Sequence, residues 1–118
     1  MKRLMAVLVA LIALVPVYAV SDDYYARQAK QYTREAEYYQ KKAEGYRREA
    51  AYYLKKAESY QREAAYFTKK GDTSRAKDYT RMAERAMDNY KTQLRYASNA
   101  DEKAADYLRW AADALNKR

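Results

Sequence analysis

The chain has 118 residues, 24 Lys and Arg against 16 Asp and Glu for a net charge of +8, no His, no Cys, two Gly and one Pro. Without His or Cys it offers no side chain that ordinarily titrates near neutrality, no thiolate nucleophile, no disulfide and no usual zinc, haem or iron–sulfur ligand set. Two glycines also cannot build a phosphate-cradling loop, so the composition argues against most enzyme classes.

Lys2 and Arg3 precede an uncharged apolar run from Leu4 to Val15, followed by Pro16 and Val17-Tyr18-Ala19. This is the pattern of a secretory signal peptide over residues 1–19, with small residues at the −3 and −1 positions and cleavage expected after Ala19. The competing reading is a transmembrane anchor. However, the apolar stretch ends near Val20, at the short end of what spans roughly 30 Å of hydrocarbon, and Asp22 and Asp23 follow at once. No Cys stands at the cut to carry a lipid. The expected destination is the periplasm or the extracellular space, and a chain without thiols suits an oxidising compartment. Cleavage removes Lys2 and Arg3, leaving +6, and no continuous apolar span for an integral membrane segment remains.

Beyond residue 19 the branched aliphatics are only Val20, Leu54, Leu94, Leu108 and Leu115, joined by Phe67, Trp110, Met82 and Met87. With 34% charged residues over the whole chain, this approaches the composition of disordered proteins. Periodicity points the other way. From Asp23 the sequence falls into three consecutive blocks of fourteen, DYYARQAKQYTREA, EYYQKKAEGYRREA and AYYLKKAESYQREA, and a fourth begins AYFTKKGD before breaking at Gly71. Within them Tyr25, Ala29, Tyr32, Ala36, Tyr39, Ala43, Tyr46, Ala50, Tyr53, Ala57, Tyr60, Ala64 and Phe67 alternate steps of four and three without a miss. That spacing winds one seam along an α-helix and favours a left-handed supercoil.

With the alanines at heptad position a and the aromatics at d, position f is basic from Arg27 to Lys69. The acids Asp23, Glu37, Glu44 and Glu58 at b each stand four residues before a base at f. This is the favourable polarity of an i,i+4 pair, about 0.2–0.5 kcal/mol each, and it marks a solvated outer face. Position g alternates Glu35, Lys42, Glu49, Lys56, Glu63 and Lys70, whereas e is mostly uncharged. Parallel coiled coils pair g with e, but antiparallel ones bring g opposite g, so this row suits an antiparallel copy in a suitable register.

Lys69-Lys70-Gly71-Asp72-Thr73-Ser74 is the clearest break. Gly71 suits a left-handed cap, the lysines suit the C-terminal dipole, and Asp72 or Thr73 suits the cap of the next helix. The next seam is expected along Tyr79, Ala83, Ala86, Tyr90, Leu94, Ala97, Ala104, Leu108, Ala111 and Leu115, with a gap at Asp101. The expected fold is therefore all-α, a long antiparallel helical hairpin with coiled-coil-like Ala/Tyr heptads. It forms one domain over residues 20–118, with helix 22–70, turn 71–73 and helix 74–117. Two such helices, about 48 and 44 residues, match in length at roughly 70 Å. A third helix after Asn99 is the alternative, because Asn99 with Glu102 three residues on has capping-box character.

Residues 60–83 resemble a tetratricopeptide-type helix-turn-helix. Tyr60, Ala64, Phe67, Gly71, Ala76 and Ala83 occupy the family's aromatic, small, aromatic, Gly, Ala and Ala positions. Thr80 stands where the family has a large aromatic, Asp88 where it has Pro, and the period here is 14 rather than 34 residues. The resemblance covers about a fifth of the chain and implies a protein-interaction scaffold.

A search for chemistry finds little. Glu35, Glu49 and Glu63 are roughly 21 Å apart along a helix, too far to flank one bond. Glu84 and Asp88 lack the further oxygens a hard cation needs, and Ser74 and Ser98 have no histidine base. No catalytic residue, cofactor site or metal site is expected. Tyrosine is the anomaly, since fourteen of fifteen lie beyond residue 19 and a second row, Tyr24, Tyr38, Tyr52 and Tyr66, stands at position c. One hairpin seam cannot bury both rows, which suggests a second interface with other copies or another protein. Lys41-Lys42, Lys55-Lys56 and Lys69-Lys70 follow three of the tyrosine pairs, giving an alternative polyanion or anionic-surface binder, whether of envelope polymer, lipid or extracellular nucleic acid. The preferred expectation is a non-catalytic structural or interaction module forming homo-oligomers or filaments through its Tyr/Ala rows.

Overall fold

The computed structural model describes residues 23–117. The expected signal peptide and its cleavage point lie outside the described residues. Two helices form an antiparallel hairpin: α1, Asp23–Lys69, and α2, Thr73–Asn116. Among the described residues there is no strand, and no helix is long and apolar enough to cross a membrane.

The reversal is built by local hydrogen bonds. Gly71 takes a φ of +78°, a left-handed conformation that costs an L side chain steric strain. Its N–H donates to the Thr68 carbonyl at 3.1 Å, and the Asp72 N–H donates to the Phe67 carbonyl at 2.9 Å. This is the Schellman arrangement, which satisfies two carbonyls that the helix end would leave without partners. Asp72 then caps α2: its Oδ1 accepts from the Arg75 N–H at 3.1 Å, and its carbonyl accepts from the Ala76 N–H at 3.1 Å. The Arg75 guanidinium lies over the Phe67 ring, 5.4 Å from its centroid, and ties the two sides of the turn together.

The chain packs as two units. In the first, residues 23–43 of α1 and 99–117 of α2, buried Ala29, Ala36, Ala104, Leu108, Ala111, Ala114 and Leu115 form the core. Tyr32, Tyr39 and Tyr107 pack against it, and Leu108 is the largest side chain fully buried among the described residues. The Tyr39 and Tyr107 rings stack at 5.7 Å and 10°. Trp110 meets Tyr32 and Tyr107 edge-on at 6.0 and 5.1 Å. In the second unit, residues 44–98, the buried residues are all alanine: Ala50, Ala57, Ala76, Ala83, Ala86 and Ala97. Rings flank them, with Phe67 stacked on Tyr79 at 5.6 Å and 5°, and Tyr46 against Tyr96 at 5.4 Å.

The seam of α2 differs from the expected one at two places. Leu94 is 39% exposed while Gln93 is half-buried, and Ala100, 6% exposed, fills the step expected to be a gap at Asp101. The reason is strict heptad geometry. Ala76, Ala83, Tyr90, Ala97, Ala104 and Ala111 form one row, and Tyr79, Ala86, Gln93, Ala100, Tyr107 and Ala114 form the other. Leu94, Leu108 and Leu115 share the neighbouring row, and only the last two are covered. The third helix after Asn99 is not formed, because α2 runs unbroken through Asn99. Ala97 and Ala100 on either side of Asn99 are both buried, so the apolar spacing continues while Asn99 and Glu102 face solvent.

Polar groups beside the seam are satisfied within their own helix. The hydroxyls of Thr33, Thr68 and Thr80 donate to the carbonyls four residues back at 2.8–2.9 Å, a pattern that hides a donor without a partner from another element. Exposed ion pairs such as Asp23–Arg27 at 3.7 Å add little to stability.

Two substitutions test this reading of the packing. Leu108→Ala is expected to cost about 2–5 kcal/mol in urea unfolding followed by circular dichroism, whereas Leu94→Ala stays within about 0.5 kcal/mol. Gly71→Ala is expected to cost about 1–2 kcal/mol through backbone strain. A Cβ there would meet no atom within 4 Å, so crowding contributes nothing.

Candidate interaction surface

The residues singled out on α1 separate into a covered row, a half-covered row and an exposed row. Ala29, Ala36, Ala43, Ala50 and Ala57 are at most 1% exposed. Ala64, near the turn, is half-buried, as are Tyr25, Tyr32, Tyr39, Tyr46, Tyr53, Tyr60 and Phe67. Alanine at a lets the two backbones approach, and the larger rings at d then lie along the edge of the contact instead of filling it.

The c-row tyrosines are open to solvent: Tyr24 is 63% exposed, and Tyr38, Tyr52 and Tyr66 are each 52% exposed. Each ring leans edge-on against the aromatic that follows it, with centroids 5.1–5.4 Å apart. Edge-to-face contact aligns the positive rim of one ring with the negative face of the other. Three of the four carry a second restraint. Lys42, Lys56 and Lys70, four residues on, place their Nζ atoms 5.3, 5.2 and 5.6 Å from the centroids of Tyr38, Tyr52 and Tyr66. An ammonium over a ring face is attracted by the ring quadrupole, about 0.5–1 kcal/mol at an exposed site. Helix spacing alone brings these groups together, since i and i+4 are neighbours on one face. At Tyr24 the corresponding residue is Gln28, whose Nε2 donates to the Tyr32 hydroxyl at 3.4 Å.

The lysine pairs are split by the helix. Lys42, Lys56 and Lys70 lie over tyrosine rings, while Lys41, Lys55 and Lys69 are exposed about 100° further round. The tyrosine-bearing face thus presents one lysine per fourteen residues, and Glu35, Glu49 and Glu63 occupy the intervening positions of the same row.

Two electrostatic effects mark the surface. Partial burial pushes the Tyr107 hydroxyl above the ordinary tyrosine value, with Tyr39, Glu35 and Tyr32 acting in the same direction. Hydrogen bonding to Tyr52 and the charge of its phenolate raise the Lys56 ammonium. Gly71 and Asp72 serve the turn. Among the described residues no three acidic side chains gather to hold a metal ion. Glu84 and Asp88 instead border an open groove in the second unit, beside Gln61, Thr80 and Lys91. Sequence reasoning missed the cluster of Tyr32, Tyr107 and Trp110, in which Trp110 is 45% exposed. The signal available for it was the three-residue spacing of Tyr107 and Trp110 beside the second seam.

The Tyr107 proton is held more firmly in the folded chain than in the unfolded one, so its contribution to stability is complete below the ordinary tyrosine value, about 10, and is lost as pH rises through the folded value. Helicity followed by circular dichroism is expected to fall with pH above about 10, and Tyr107→Phe is expected to reduce that loss more than Tyr24→Phe does. Comparison with protein-family models, with curated proteins and with solved structures finds no match to this chain.

Proposed function

We propose that this chain is an exported, non-catalytic structural or protein-interaction module that self-associates through its tyrosine rows, with filaments as the product where the contact does not close on itself. The observation that carries this reading is the row of Tyr38, Tyr52 and Tyr66. Each is half exposed, each is held against a neighbouring ring, and they repeat every fourteen residues. Oriented, partly exposed tyrosines are the side chains that interfaces favour. The thin core supports it too. Residues 44–98 bury only alanine, and small folds with little buried apolar surface often draw stability from further copies. A repeating surface also admits staggered contacts, which generate open assemblies when heterologous.

A second reading, binding of a polyanion or an anionic surface, is favoured by the three lysines seated over tyrosine rings. The acidic residues interspersed in the same row weigh against it, since a polyanion stripe usually keeps one sign of charge.

The test begins with the protein secreted from cells expressing the full chain, whose N-terminus is expected at Val20 by mass spectrometry. Light scattering across concentration and salt, with negative-stain microscopy of the same samples, is expected to show a discrete oligomer or filaments. Tyr38→Ala with Tyr52→Ala is expected to weaken them. A helical monomer at every concentration would refute self-association and place the polyanion reading first. Gln at positions 41, 42, 55 and 56 would then be expected to abolish salt-sensitive polymer binding.

A further inference from the structure

The g row of α1 carries more information than its net charge. In residues 44–98 it reads Glu49, Lys56, Glu63 and Lys70, all exposed, with the sign reversing every seven residues, or about 10.5 Å of helix. Parallel copies in register would set each lysine on a lysine and each glutamate on a glutamate, and like charges placed face to face oppose association. An antiparallel copy escapes this only in some registers. If the two-fold axis passes through a charged residue, such as Lys56, that residue faces itself and Glu49 faces Glu63. If it passes midway between two of them, every acid faces a base.

The midway position near Ser59 uses all four charges. It also sets the small Ser59 side chain of each copy at the axis, where the helices come closest. The exposed rings of Tyr52 and the partner's Tyr66 then lie level with each other on either side. The midway position near Tyr52 also sets acid against base, Glu63 and Lys70 then meeting the partner's Lys42 and the partner's Glu35, but it places the bulky Tyr52 ring of each copy at the axis, where Ser59 lets the helices approach. We propose that a second copy of this chain packs antiparallel on the c and g face of α1 about an axis at Ser59, Lys56 facing the partner's Glu63 and Glu49 facing the partner's Lys70. The geometry rests on the self-association proposed above and names its partner and register. Stacked tyrosines supply the attraction, and the charges select which register is occupied, the division of labour expected of an aromatic centre with a charged rim.

Two charge-uniform variants of the full exported chain separate this geometry from self-association in general. Glu49→Lys with Glu63→Lys makes these four positions basic, and Lys56→Glu with Lys70→Glu makes them acidic. Sedimentation of each variant alone is expected to show self-association weaker than the parent by at least about tenfold, and an equimolar mixture is expected to recover it as a heterodimer. A parent that is monomeric at every concentration would overturn the self-association reading itself. A parent that associates while both variants associate equally well, or whose variants fail to recover on mixing, would overturn the charge-selected geometry alone.

Because the chain contains no cysteine, Ser59→Cys supplies a register test that leaves the charges intact. Mild oxidation is expected to yield a disulfide-linked dimer at concentrations where the parent associates. An associating Ser59→Cys protein that forms no such dimer places the axis elsewhere and overturns the register, even if a charge variant fails to fold.

Discussion

An alanine side chain offers a single methyl group, so a seam made of alanine gains its stability from how closely two helix backbones approach. Dispersion between atoms falls away within a fraction of an ångström of gap, and every seventh residue of α1 from Ala29 to Ala57 is an alanine almost wholly removed from solvent. The d-row tyrosines lie along the edge of the contact, half-buried, and stack on rings from the other helix, as Tyr39 does on Tyr107 and Phe67 on Tyr79. The aromatic layer is a consequence of the small residues beneath it. With the d row at the edge, the c row is displaced further outward and cannot be covered by the same hairpin.

The first helix was legible almost residue by residue, because its alternation of three and four admits one register only. Tyr and Ala alternate with no competing apolar residue nearby, and Gly71 with Asp72 ends the pattern with a recognisable cap and turn. The second helix was less legible for the same physical reason in reverse. At Leu94 two registers differ by one residue, and hydrophobicity pointed to the leucine, whereas the seam passes through Gln93 and places Leu94 at its flank. A glutamine can lie half-buried there because its aliphatic carbons cover the seam while its amide reaches solvent. Asn99 and Glu102 carry a capping signature that is overridden by buried alanines on either side of Asn99. Local signals at a helix interior yield to a continuing apolar face.

The candidate surface was legible as a pattern of residue types and only partly as a geometry. Spacing alone indicates that Tyr38 and Lys42 share a face, and the structure adds that the ammonium lies over the ring. The division of each lysine pair follows from the 100° turn per residue, and it separates the cation beside the tyrosine from its neighbour in sequence. The aromatic cluster around Trp110 depends on which residues of α2 come level with Tyr32, and this is fixed by the hairpin's register rather than by either helix alone.

The unequal filling of the two units has a bearing on motion. Residues 44–98 bury alanines only, while the other unit holds Leu108, Leu115 and a stacked aromatic group. Free energy of local opening follows the apolar surface that opening exposes, so amide hydrogens flanking the turn exchange through smaller, more frequent excursions than those near Leu108. Of the two units, the one expected to open more readily contains Tyr52, Ser59 and Tyr66. Contact with another copy along that segment would slow its exchange, so the rate at which these amides take up deuterium reports directly on how the protein is assembled.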